Sequence, residues 1–287
     1  KHETGELKKI MKASEYPITC IRWKPYMGIK PKNILSSVTA DGKIHFWHTL
    51  TGKILYSLIE ESPIMCMDFN SDGSIFAVAG NDKVVKLYDD NTKCLITKLK
   101  SRDFIHPGHS NRIFAVKFSQ ENDNILISGG WDNTLQVYDV REKNIVASIY
   151  GPHICGDSID IKGNKILTAA WASSKQIQIF DLRNFKQENC FDVCNLDMAN
   201  KKSSFLYSCQ FAKFRNDTNM FGIAGSNENF FGCYDFGTID NNNNLRTCMR
   251  SRNNLKSAYA LDFSYRNREF AIGSGDGTIH IVSYKEN

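Results

Sequence analysis

The feature that most constrains this chain is a repeat. An apolar run, a tight polar turn and a second run closing on an aromatic recur six times along 287 residues. The cleanest copy runs Ile113 to Phe118, then Ile125 to Gly130, then Asp132 to Asp139. The closing aromatic falls at Trp47, Tyr88, Tyr138, Phe180 and Tyr234, with Val282 in the sixth copy. Six residues before each stand Asp41, Asp82, Asp132, Ser174, Glu228 and Asp276, a carboxylate in five of six copies. Such a period means stacked supersecondary units, none of which buries its apolar face alone.

The first run of each copy ends at Trp23, Phe69, Phe118, Ile161, Phe211 and Phe263, at spacings of 46, 49, 43, 50 and 52 residues. Every run is short and alternates with period two, and no segment carries a period of 3.6. The chain therefore reads as all-β. Asp41-Gly42, Asp72-Gly73 and Asp276-Gly277 supply the positive φ that tight hairpins require. Hydrophobic residues at 41% and charged residues at 23% suit a globular chain rather than a disordered one. No apolar run is long enough for a membrane-spanning helix, and Lys1-His2-Glu3-Thr4 carries no signal-peptide core. The nine cysteines are odd in number and sit mostly in apolar runs, as Cys66 does between Met65 and Met67. They read as thiols of a reducing compartment, the cytoplasm first and the nucleus second.

These residues resemble the WD40-repeat β-propeller family over essentially the whole chain. The family's Gly-His stands once in full as Gly108-His109 and in altered form as Gly151-Pro152-His153. The resemblance implies a structural hydrogen-bonded set in copy three of His109, Ser128 and Asp132, with Tyr138 in place of the family's Trp. In copy one it implies Ser37, Asp41 and Trp47, and it makes Asp82 and Asp276 structural turn residues. The expected fold is a single propeller domain over residues 1–287 with six four-stranded antiparallel blades, seven being the alternative. Copy six lacks a fourth strand, whereas Thr4-Gly5-Glu6-Leu7-Lys8-Lys9-Ile10-Met11 is similar to the fourth strand of copy one, Thr51 to Leu58. The N-terminal strand is therefore expected to pair with the last blade and close the ring.

Function is less constrained, since one fold hosts many roles. No phosphate loop and no nucleophile elbow is present. The repeated turn carboxylates argue against a catalytic pair, which would break the repeat symmetry. His45 and His48 fall on opposite strand faces and Cys190 and Cys194 have no second pair, so no metal and no cofactor are expected. Trp131 and Trp171 depart from the structural pattern, because both occupy a solvent-facing hairpin turn. With Asn111, Arg112, His153 and Asp157 they form a candidate rim patch for other proteins or peptide segments. The expectation is a non-catalytic scaffold, part of a larger intracellular complex and monomeric on its own. Two alternatives remain. One is nucleic-acid or phosphoinositide binding through Arg246, Arg250, Arg252, Lys256, Arg266 and Arg268, although a net charge of +5 without a block of like charges implies no dedicated grip. The other is an enzyme at the channel mouth.

Overall fold

The computed structural model describes residues 7–12, 14–26, 33–99, 107–193, 205–214, 219–226, 231–239, 245–250 and 257–284. These residues hold 23 strands in six sheets, each an antiparallel meander in chain order. Blade 1 comprises β1 (Ile18–Trp23), β2 (Ile34–Thr39), β3 (Lys43–His48) and β4 (Lys53–Ile59). Blade 2 is β5 (Ile64–Phe69), β6 (Ile75–Gly80), β7 (Val85–Asp89) and β8 (Leu95–Leu99). Blade 3 is β9 (Ile113–Phe118), β10 (Ile125–Gly130), β11 (Thr134–Asp139) and β12 (Asn144–Tyr150). Blade 4 runs through β13 (Ile159–Lys162), β14 (Lys165–Ala169), β15 (Ile177–Asp181) and β16 (Gln187–Phe191). Blade 5 runs through β17 (Phe205–Phe211), β18 (Met220–Ser226), β19 (Phe231–Ile239) and β20 (Leu245–Arg250). Blade 6 has β21 (Ala258–Phe263), β22 (Glu269–Ser274) and β23 (Ile279–Ser283).

The chain forms two compact units, Lys1–Ser148 and Ile149–Asn287, the boundary falling within β12. In each unit the core lies between consecutive blades, because both faces of a middle blade are apolar. Blades 1 and 2 share Val38, Phe46, Met67, Phe69 and Phe76. Blades 2 and 3 share Ala77, Leu87, Val116, Phe118 and Tyr138. In the second unit, Ile177, Phe211 and Phe221 join blades 4 and 5, and Cys233, Phe263 and Phe270 join blades 5 and 6.

A side-chain latch recurs at these joints. Asp68 Oδ2 accepts the Phe118 N–H at 2.9 Å, Asp160 Oδ2 the Phe211 N–H at 2.8 Å, and Gln210 Oε1 the Phe263 N–H at 2.7 Å. Each acceptor precedes the closing residue of one blade's first strand, and each donor is the closing residue of the next.

The hairpin glycines adopt the left-handed region as expected, Gly42 at φ +84°, Gly73 at +71° and Gly277 at +82°. Gly130 meets a different constraint. A bulge at the end of β10 brings it so close to β9 that a Cβ would stand 2.0 Å from the Arg112 carbonyl oxygen. Gly130→Ala should therefore force the strand ends apart and cost about 1–3 kcal/mol. Its thermal melt should fall by several degrees, and an unchanged melt would show that the two strand ends part freely.

The expected closure by an N-terminal strand is corrected by the structure. Thr4, Gly5 and Glu6 lie outside the described residues, but Leu7 to Met11 form no strand, and the blade 6 sheet has three strands among the described residues. Lys9 Nζ instead donates to the Leu50 carbonyl at the turn before β4. The likeness to Thr51–Leu58 therefore did not carry strand pairing with it. Local similarity supplies a propensity, whereas pairing depends on which edge the segment meets.

Candidate functional site

The copy-three set forms in full. His109 Nδ1 lies 2.8 Å from Asp132 Oδ2 and Nε2 lies 2.7 Å from Ser128 Oγ, which is 3.2 Å from the Tyr138 hydroxyl. Asp132 also accepts the Ser110 N–H at 2.9 Å and the Thr134 hydroxyl at 3.0 Å. Burial pushes the Asp132 carboxyl up, but the bonds from His109, Ser110 and Thr134 outweigh it and hold the group below its ordinary value. Burial pushes the Tyr138 phenol well above its ordinary range. Every polar atom here is engaged inward, as suits a structural network rather than a reaction centre.

Other copies solve the same position differently. In blade 1, Trp47 Nε1 donates to Ser37 Oγ at 2.9 Å. Asp41 pairs with Lys43 Nζ at 2.7 Å and accepts from Thr39, and these two bonds draw its pKa down to about 2. In blade 2, Glu60 stands where blade 3 has His109. It accepts from the Tyr88 hydroxyl and pairs with Lys86, whose Nζ also lies 2.6 Å from Asp82. Burial alone would lower the Lys86 pKa, but Asp82 and Glu60 raise it above the ordinary lysine value. Asp276 in blade 6 is an exposed turn residue that accepts from Thr278, at 3.0 Å from its N–H and 2.6 Å from its hydroxyl. Asp139 and Asp181 accept N–H groups two residues onward, from Arg141 at 2.9 Å and Arg183 at 2.8 Å, fixing the turns into the fourth strands, and Asp235 accepts the Gly237 N–H at 2.8 Å within β19.

The two rim tryptophans occupy equivalent places. Trp131 N–H donates to the Arg112 carbonyl at 3.0 Å and Trp171 N–H to the His153 carbonyl at 2.8 Å, so each follows the second strand of its blade. In the first unit, half-buried Trp131 stacks on Phe114 with centroids 5.0 Å apart, and the Arg112 guanidinium lies 5.5 Å from its ring. Asn111 is exposed, and its Oδ1 accepts the Arg112 N–H at 2.9 Å.

In the second unit, Trp171 is 39% exposed and stacks on Phe205 at 4.5 Å, with His153 at 6.0 Å. Its Nε1 donates to the Tyr207 hydroxyl at 3.2 Å, and Tyr207 meets Tyr259 edge-on at 5.0 Å. Tyr259 is 49% exposed. The result is a continuous row of five rings across blades 4, 5 and 6. Backbone bonds hold its base: Leu206 N–H to Ala170 O at 3.3 Å and Cys209 N–H to Asp157 O at 3.2 Å. Asp157 thus serves the row through its carbonyl. Phe114, Phe205, Tyr207 and Tyr259 were missed in the sequence. Their one signal is an aromatic within the first three residues of a copy's first strand.

Of the arginine set, Arg252 and Lys256 fall outside the described residues, Arg266 is exposed, and the Arg268 guanidinium lies 5.4 Å from the Phe214 ring. Among the described residues no group of three or more His, Cys, Asp or Glu is placed to hold a metal ion, and eight cysteines are free thiols. No helix among them is long and apolar enough to cross a membrane.

The model of the WD domain, G-beta repeat, matches residues 52–89 and 100–139. A serine-threonine kinase receptor-associated protein of Dictyostelium discoideum is 23% identical over 245 residues, 85% of this chain and 74% of that protein. A histone acetyltransferase type B subunit 2 of Candida glabrata is 29% identical over 111 residues, 38% of this chain and 25% of that protein. The chain thus spans about three-quarters of the first relative and only a quarter of the second. Among solved structures, a chain of the mitotic checkpoint complex superposes with a TM-score of 0.74 at 13% identity, over 94% of this chain and 77% of that one. Matched repeats in copies two and three, relatives along the chain and a shared fold lead to one conclusion: the chain carries WD40 repeats in two places and has the β-propeller fold with six blades.

Proposed function

We propose that the chain is a non-catalytic scaffold of an intracellular protein complex, and that the aromatic row of blades 4 to 6 grips a segment of a partner protein. The row itself carries the reading. Trp171 and Tyr259 expose large ring surfaces at a rim already fixed by backbone bonds, so a partner loses little by ordering this side. Aromatic anchors of this kind dominate binding energy at protein interfaces. The relatives named as receptor-associated or as a subunit fit a role within assemblies. The cluster of Trp131, Arg112 and Asn111 offers a second contact of the same character. The free thiols suit the cytoplasm or the nucleus.

The test begins with affinity capture, identification of a partner by mass spectrometry, and titration of the purified pair. Trp171→Ala combined with Tyr259→Ala should weaken that pair by about 2 kcal/mol, roughly thirtyfold, with little change in melting. Trp131→Ala should weaken it further if both clusters serve one partner. An unchanged affinity removes the aromatic row from the binding surface. A stability loss on the scale of a core truncation makes the row a packing element instead.

A further inference from the structure

The cluster of Trp131, Arg112 and Asn111 on blade 3 carries a charge without a counter-charge. Arg22, Arg141 and Arg183 each have a carboxylate within 3.3 Å, from Asp68, Asp139 and Asp181. Arg112 is exposed and pairs with no carboxylate among the described residues; what holds its guanidinium is the Trp131 ring, 5.5 Å away. A ring attracts a guanidinium through its face and takes up none of the five N–H donors. The fork that fits a carboxylate therefore stays open.

Further donors adjoin it on a backbone that is already fixed. Asn111 is exposed, and its Oδ1 is occupied by the Arg112 N–H at 2.9 Å, which leaves the side-chain NH2 to donate elsewhere. The loop is held at both ends. The Ser110 N–H donates to Asp132 at 2.9 Å, the Trp131 N–H donates to the Arg112 carbonyl at 3.0 Å, and Gly130 closes against that same carbonyl. Asp132, the acid bonded to this loop, is spent inward on His109, and its side chain is only 2% exposed. It therefore does not neutralise Arg112.

We infer that this cluster reads an acidic side chain of a partner segment, its carboxylate taken in the Arg112 fork with the Asn111 NH2 as a further donor and an apolar neighbour laid on Trp131. The inference rests on this rim being a partner-binding surface and adds the chemistry of what it takes. Charge complementarity selects the occupant. A cationic segment would meet Arg112, and a neutral one would desolvate the guanidinium without a counter-charge. Phosphate readers use clusters of arginines, whereas this cluster supplies one guanidinium. Donors fixed before binding cost little to order.

Fluorescence anisotropy on the full chain tests this with four labelled peptides of one frame, Ala-Leu-Xaa-Phe-Xaa-Leu-Ala, in which Xaa is Glu, Gln, Lys or phosphoserine. The Glu peptide should bind about tenfold tighter than the Gln peptide, with the Lys peptide weakest and the Glu affinity falling as salt rises. Arg112→Gln should bring the Glu peptide to the level of the Gln peptide. Arg112→Lys should restore only part of the difference, because an ammonium lacks the fork. Asn111→Asp should weaken the Glu peptide by like-charge repulsion. Arg112 and Asn111 are exposed, so the melts of these variants should match wild type.

A Glu peptide that does not bind, or binds no better than the Gln peptide, overturns the inference. So does a phosphoserine peptide bound about tenfold tighter than the Glu peptide, which would give the site to a phosphorylated segment. Trp131→Ala separates this inference from the rim reading beneath it. Binding lost in Trp131→Ala but kept in Arg112→Gln leaves the rim a binding surface and removes the carboxylate. Binding kept in both removes the cluster from the surface altogether.

Discussion

Glu60→Ala should cost about 3 kcal/mol of unfolding free energy, the scale of breaking a buried ion pair by removing one partner. Lys86 would keep Asp82, but its ammonium is buried in a site arranged for two carboxylates, and the Tyr88 hydroxyl would lose its acceptor. Glu60→Leu combined with Lys86→Met should recover most of the loss, because an apolar pair of similar volume carries no desolvation penalty. Urea unfolding of the two variants separates the cases, and equal losses in both would deny the pair any role. The sign of the pH effect follows from the raised Lys86 value. Its contribution is complete below the unfolded lysine pKa of about 10.4 and is lost as pH rises through the higher folded value.

Asp132→Ala should cost about 1–3 kcal/mol, since it leaves the buried His109 ring, the Ser110 N–H and the Thr134 hydroxyl without their shared acceptor. Here the folded pKa is depressed, so the stabilisation is present above the unfolded carboxylate value of about 3.9 and is lost as pH falls through the lower folded value. The gap in melting temperature between wild type and variant should therefore be constant near neutrality and narrow in acid. If stability is untouched while partner binding disappears, Asp132 is a contact residue and the structural assignment fails.

Much of the architecture was legible because its signals are local. Turn carboxylates, Asp-Gly hairpins and period-two runs each act within a few residues, and the first strands end where their closing residues predicted, at Trp23, Phe69, Phe118, Phe211 and Phe263. The His109, Ser128, Asp132 and Tyr138 set was legible by resemblance, and Trp131 and Trp171 by their oddness in a turn. Glu60 was not, since a Glu before a strand reads as solvated surface until Lys86 and Tyr88 are brought to it. The N-terminal strand failed for the opposite reason, a good local likeness in a segment where Leu7 to Met11 form no strand.

The sequence by itself determined the repeat, the all-β class, the hairpin turns and the apolar faces, because these depend on backbone propensity and residue alternation over short stretches. Tertiary structure decided what those faces meet. The latches join residues about 50 positions apart, and the ring row draws on blades 4, 5 and 6. Such pairings are set by packing and by the burial of polar atoms that must find partners, and neither is written in the order of neighbouring residues.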